Sequence, residues 1–177
     1  MRRSLAVLPE LVVPEPYTLL TLERDDITAW AALLGQNGEL GEWSVEQATP
    51  YFGPDSHMPL AGSFFLTQHG EPVATAQLHL NPDGPYTPVP ELGWVAVSLA
   101  HRGHRLGSVV SLAVLHYAAS TGHREVFLQT DDHRVAAIKT YLRLGFEPWM
   151  HDPTAPERWR AVLAVVAQTD HNARPQS

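Results

Sequence analysis

With 177 residues, 44% of them hydrophobic and 18% charged, the chain is long enough for one domain with a full core and too short for two comfortable ones. A formal net charge of −7 argues against a nucleic-acid partner, which selects a basic stripe, and favours a cationic substrate such as an amine through long-range attraction. With no cysteine, a disulfide framework and thiolate catalysis are both excluded.

Residues 1–16 carry Pro9, Pro14 and Pro16 and read as an extended arm. Arg2 and Arg3 precede an apolar run, but Pro9, Glu10 and Pro14 interrupt it and no small-residue cleavage pattern follows, so it does not read as a signal peptide. No stretch reaches the roughly 20 apolar residues of a membrane span, so no membrane association and a cytoplasmic location are expected. Residues 17–23 alternate as a strand. Asp25 or Asp26 then caps a helix with Ile27, Trp30, Ala31 and Leu34 on one face. Ser44 and Gln47 form the two ends of a capping box for a second helix ending near Phe52, and Gly53 to Pro59 is loop.

Residues 62–68 and 72–80 read as a hairpin turning at His69-Gly70-Glu71. Residues 81–90 contain four prolines and form a long surface loop. Residues 91–98 are apolar on both faces and predict a central strand. The run from Arg105 to Ser120 predicts a buried helix closed by Gly122. A strand over 125–130, a helix over 134–144 ended by Gly145, and a short strand over 146–150 follow. Thr154 and Glu157 cap a last helix bearing Trp159, Val162, Leu163 and Val166, and the tail from Thr169 is polar and expected to be mobile. The fold class is therefore mixed α/β in one layered domain over 17–168, with no internal repeat.

Chemistry concentrates where the strand ending Val95-Ala96-Val97 turns through Gly103 and Gly107 into the helix. Such a turn aims the unpaired N–H groups of a helix start at one point, where the helix dipole adds positive potential. Gly103 and Gly107 let a phosphate approach the backbone, and Arg102 and Arg105 add charge. Neither a P-loop nor a dinucleotide fingerprint is present.

Arg102-x-x-Arg105-x-Gly107 after Val95-Ala96-Val97 resembles the pyrophosphate motif of the GNAT superfamily of acetyl-CoA-dependent N-acetyltransferases, usually written Arg/Gln-x-x-Gly-x-Gly/Ala. Downstream, Ala137-Ile138-Lys139-Thr140-Tyr141-Leu142-Arg143-Leu144-Gly145-Phe146 resembles the family's Ala-Ile-x-x-Tyr-x-x-x-Gly-Phe helix and exit turn. The resemblance spans about residues 17–150. It implies a splayed sheet with acetyl-CoA, the cosubstrate, in a V between the strands at 91–98 and 125–130; the additional C-terminal helix lies outside the resemblance. It implies that the backbone of Val95, Ala96 and Val97 meets the pantetheine arm. The amides from Gly103 through His104, Arg105 and Leu106 to Gly107 and Ser108 would hold the pyrophosphate, with Arg102 beside them.

The reaction implied is direct transfer to an amine, on a small molecule or a peptide, with Tyr141 protonating the departing sulfur. Glu91 stands four residues before Val95, where several members place a carboxylate base; strand alternation puts it on the same face as Gly93 and Val95. Its other reading is a solvated strand-end glutamate. His79, Asp131, Asp132 and His133 are further titratable groups at strand ends. Three departures stand out: Arg105 replaces the usual glycine, Arg134 replaces an asparagine that contacts the cofactor, and no final hairpin strand is evident. The ten histidines lack paired-ligand spacing, so no metal is expected. Trp43, Tyr51 and Phe52 read as core packing, with an acceptor pocket or a partner surface as the alternatives. A non-enzymatic acyl-CoA-binding domain of the same fold is the rival function, and a homodimer stays open.

Overall fold

The computed structural model describes residues 1–53, 56–81 and 83–172. Pro54, Asp55 and Pro82, within two of the expected loops, and residues 173–177 of the expected tail lie outside them. Six strands, β1 (Arg2–Ser4), β2 (Thr18–Thr21), β3 (Ser63–Gln68), β4 (Glu71–His79), β5 (Glu91–Val97) and β6 (Glu125–Phe127), form one sheet in the order β1-β6-β5-β4-β3-β2. The helices are α1 (Ile27–Gln36), α2 (Val45–Phe52), α3 (Leu106–Ser120), α4 (Val135–Arg143) and α5 (Ala155–Asn172). All neighbouring strands run antiparallel except β5 and β6, which are parallel because α3 crosses between them.

Local chemistry accounts for most of these boundaries. Ser44 and Gln47 make both arms of the capping box, at 3.2 and 2.9 Å. The Asp26 carboxylate accepts from the Glu23 amide at 2.8 Å and closes a single 3₁₀ turn ahead of α1. His69 and Gly70 both take left-handed φ values, 53° and 86°, so the hairpin turns on two residues and Glu71 already belongs to β4.

Four expectations are corrected. Arg2 to Ser4 belong to the sheet edge, because Arg2, Arg3 and Ser4 pair with Phe127, Val126 and Glu125. Residues 146–150 form no strand: Glu147 makes one bridge to Arg2, and Pro148, which has no N–H to donate, ends the pairing. The cap of α5 is Asp152, whose carboxylate accepts from the amides of Thr154 (2.7 Å) and Ala155 (3.1 Å). That helix continues through Thr169 to Asn172, so those residues are not tail.

The sheet separates two apolar layers. Val110 and Leu115 of α3 pack with Leu66, Leu78, Leu92 and Val126 of the sheet. Under α1 and α2, Trp30 is fully buried and packs edge-on against Trp43, Phe52 and Trp94 at 5.4–5.7 Å between ring centres. Trp43, Tyr51 and Phe52 are core members, as the packing reading expects. α5 lies on α4 through Ile138, Val162 and Val166.

Two irregularities shape the middle of the sheet. β5 and β6 share one registered pair, Glu91 with Phe127, and then diverge, since the Leu128 amide turns to the Met1 carbonyl (2.9 Å). Between β4 and β5 the register shifts: Thr75 faces Ala96 while Gln77 faces Gly93, so Trp94 and Val95 together oppose Ala76. Trp94 absorbs the extra residue with φ +51°, which makes a β-bulge.

Candidate active site

The divergence of β5 from β6 opens a cavity of about 540 Å³, lined by β5, the turn before α3, the loop after β6, the inner face of α4 and the segment after α1. Glu91, Val95, Val97, Arg102, Gly103, Arg105, Leu106, Gly107, Ser108, Arg134 and Tyr141 all line it. Two expected members do not. Ala96 lies on the far face of the sheet, 1% exposed among the α1–α2 aromatics. The His104 imidazole folds back, with Nδ1 3.1 Å from the Arg102 carbonyl.

The bulge decides which groups face where. Leu92, Val95 and Val97 pack toward α3, whereas Trp94 and Ala96 pack toward α1 and α2. Alternation carried unbroken from Glu91 would put Glu91 and Val95 together; the extra residue at Trp94 puts them on opposite faces. Backbone directions follow the same logic. The Ser98 amide donates to the Val73 carbonyl on β4 (2.9 Å), so the polar groups of Val97 and Val95 turn the other way, into the splay. Ala96 directs its own toward β4.

At the helix start the amides of Gly103, His104, Arg105, Leu106 and Gly107 donate to no backbone carbonyl among the described residues. The Ser108 amide does: it donates to the Arg105 carbonyl at 2.9 Å, which leaves the Ser108 side chain as its contribution to the cavity wall. Arg105 takes φ +59°, the conformation a glycine adopts without a Cβ penalty. A Cβ on Gly107 would lie 3.6 Å from Val97 and 3.9 Å from Val95, so the helix start sits directly on the strand.

The segment after α1 covers the open side. The Asn37 amide group donates to the Val97 carbonyl (3.5 Å), and the Asn37 carbonyl accepts from the Arg102 guanidinium. Across the cavity, Arg134 donates to the Glu39 carbonyl (3.3 Å) and pairs with Asp131 (3.0 Å). Asn37, Glu39 and Leu40 escaped the sequence reading because no motif marks them; Gly38 and Gly41, both at φ +77°, are the visible trace of their turn.

Three titratable groups stand out. Burial in the apolar wall pushes the Tyr141 phenol up to about 12, against a lowering pull from Arg134, so it carries its proton throughout the neutral range. Burial also raises Glu91, partly opposed by a hydrogen bond from Gln129 (3.3 Å) at the end of the parallel neighbour. His79, the cross-strand partner of Glu91, is held down at about 4 by burial, with His57 adding to the effect, and is neutral at pH 7. Asp131, Asp132 and His133 do not line the cavity; Asp131 holds Arg134 and Asp132 pairs with Arg158 at 2.9 Å.

The acetyltransferase (GNAT) family model matches residues 16–146. Among curated relatives, a mycothiol acetyltransferase of Thermobispora bispora is 34% identical, over 86% of this chain and 54% of the relative. One from Nocardia farcinica is 35% identical, over 84% of this chain and 52% of the relative. The chain thus spans about half the length of these curated relatives. Among solved structures, the ribosomal-protein-S18-alanine N-acetyltransferase of Escherichia coli superposes with a TM-score of 0.62 at 22% identity, over 75% of this chain and 79% of that one.

Proposed function

The chain belongs to the acetyltransferase (GNAT) family, and we propose that it is an N-acetyltransferase that moves an acetyl group from acetyl-CoA directly to the amine of a small-molecule acceptor. The observation that carries this reading is a set of helix-start amides with no backbone acceptor among the described residues, opening onto the same cavity as a protonated phenol and a half-buried carboxylate. The relatives named for mycothiol support a small molecule over a peptide as acceptor.

The residues suit acetyl-CoA as a cosubstrate. Five amides from Gly103 to Gly107, without a backbone acceptor among the described residues, and the dipole of the 15-residue α3 supply a pyrophosphate cradle, and Arg105 adds a cation to it. The outward backbone of Val95 offers a strand edge for the pantetheine arm, continued at Val97, whose carbonyl also accepts from Asn37. Bound there, acetyl-CoA supplies an activated acyl carbon. A backbone N–H of the Val95–Val97 segment steadies the charge developing on the acyl oxygen, an effect worth roughly 10²-fold in rate.

Acid and base then serve one atom each. Glu91 takes the proton that the acceptor nitrogen loses as the C–N bond forms; its raised pKa brings it closer to working pH than an ordinary glutamate. Tyr141 gives its phenolic proton to the sulfur as the C–S bond breaks. The two side chains reach the splay from opposite faces of the sheet, so donor and acceptor enter without crossing. The direct test is amine-dependent release of free CoA thiol from acetyl-CoA across a panel of primary amines, which is clean here because the chain contributes no thiol of its own. Acetyl-CoA binding without turnover of any amine would leave the non-enzymatic binding domain as the function.

A further inference from the structure

The partly buried His79 is unused in that scheme. On β4, Thr75, Gln77 and His79 point to the α1–α2 side, where Thr75 and Gln77 have no exposed surface. Gln77 donates to Thr75 at 2.7 Å and its own Oε1 is buried without a partner among the described residues, but neither residue lines the cavity. His79, the outer member, is different. Its ring lines the cavity, and its Nε2 is buried with no hydrogen-bond partner among the described residues. Buried polar atoms are ordinarily paired, and among the unpaired ones on this row the His79 nitrogen alone belongs to a residue that lines the cavity.

Its position is fixed from three sides. His79 is in register with Glu91 on the neighbouring strand, and in-register side chains on one face of a sheet stand side by side. The ring rests over Gly93, where a Cβ would fall 3.1 Å from Nε2, so the absence of a side chain at 93 makes room for it. Trp94 closes the far side with its ring centre 6.2 Å away. The Leu80 amide, bonded to the His57 carbonyl at 2.7 Å, pins the end of the strand. Held neutral at pH 7 by its burial, the imidazole keeps a lone pair free and does not repel a cationic amine.

Resting on the N-acetyltransferase reading, we propose that His79 is the second acceptor-binding residue, whose ring nitrogen accepts a hydrogen bond from the amine while Glu91 on the facing strand takes the amine's proton. A neutral primary amine has one lone pair and two N–H groups. The lone pair forms the C–N bond, one N–H faces Glu91 and loses its proton, and the other is held by His79. Tyr141 gives its proton to sulfur as the C–S bond breaks, and His79 neither gains nor loses one. This makes the protein selective for primary amines, since an N-methyl amine has a single N–H for two acceptors.

The test compares primary amines with their N-methyl counterparts in the wild type and in His79→Phe, His79→Gln and Gly93→Ala, with acetyl-CoA affinity measured for each. The wild type is expected to prefer primary amines about tenfold or more, the worth of one good hydrogen bond. His79→Phe should reduce that preference to about twofold or less with unchanged acetyl-CoA affinity. His79→Gln, which retains an acceptor oxygen, should keep it, and Gly93→Ala should mimic the phenylalanine variant by displacing the ring. Retention of the preference in His79→Phe overturns the proposal. Equal losses in His79→Phe and His79→Gln together with weakened acetyl-CoA binding also overturn it, because they mark a packing role. A wild type that binds acetyl-CoA and acetylates no amine removes the enzymatic reading and this proposal with it.

Discussion

Glu91 and Val95, four residues apart on one strand, face opposite sides of the sheet because Trp94 between them takes φ +51°. The bulge separates a carboxylate wall on the α1–α2 side from a strand edge and helix start on the α3 side.

Tyr141→Phe removes the acid and leaves the packing, since the ring is 8% exposed and meets Phe146 edge-on at 5.9 Å. Loss of a general acid lowers kcat by about 10²-fold or more. Acetyl-CoA affinity, measured by titration, should stay within about twofold, because the hydroxyl serves the leaving sulfur rather than the bound state.

Glu91 gives a pH signature. Its raised pKa means that kcat/KM falls toward acid as the base is protonated, with the limb above the ordinary glutamate range. Glu91→Gln should remove that limb and lower the plateau. The same shift sets the sign for stability. The folded state holds the proton more tightly than the unfolded chain, so the side chain's contribution is favourable below the unfolded pKa and is lost as pH rises through the folded one. Glu91→Gln should therefore melt at a higher temperature than the wild type at neutral pH, by a margin that closes in acid.

Arg105→Gly separates stability from binding. Relief of a left-handed non-glycine residue is worth up to about 1 kcal/mol, so the variant should melt slightly higher. It also removes a cation from the cavity wall, so acetyl-CoA affinity should fall, and more steeply at low salt.

Gly107→Val tests the cradle itself. A Cβ there meets Val97 at 3.6 Å, ordinary contact, but branched methyls have no such room between helix and strand. Acetyl-CoA binding should drop below detection while Gly107→Ala retains it.

The parts of this molecule legible in its sequence are those whose chemistry is contiguous. The turn from Val95 to Gly107 and the helix carrying Tyr141 are each one short segment with its own spacing, and both line the cavity. Glu91 could be named from its distance to Val95, but its face could not, because the bulge arises from the register of β4 against β5 and not from any residue on β5 alone. The edge strand at Arg2 to Ser4 owes its existence to residues more than 120 positions away, and its own three residues carry no strand periodicity. The cover formed by Asn37, Glu39 and Leu40 is held by single contacts to Val97, Arg102 and Arg134 that leave no local pattern. His79 is legible as a strand-end histidine; its orphaned nitrogen over Gly93 is a product of the register of β4 against β5.

Calorimetric titration of the purified protein with acetyl-CoA tests the central claim most directly. One site with micromolar affinity, abolished by Gly107→Val, is the predicted result. No heat of binding at millimolar acetyl-CoA would mean that the turn from Arg102 to Gly107 only redirects the chain, and the assignment of this cavity would be contradicted.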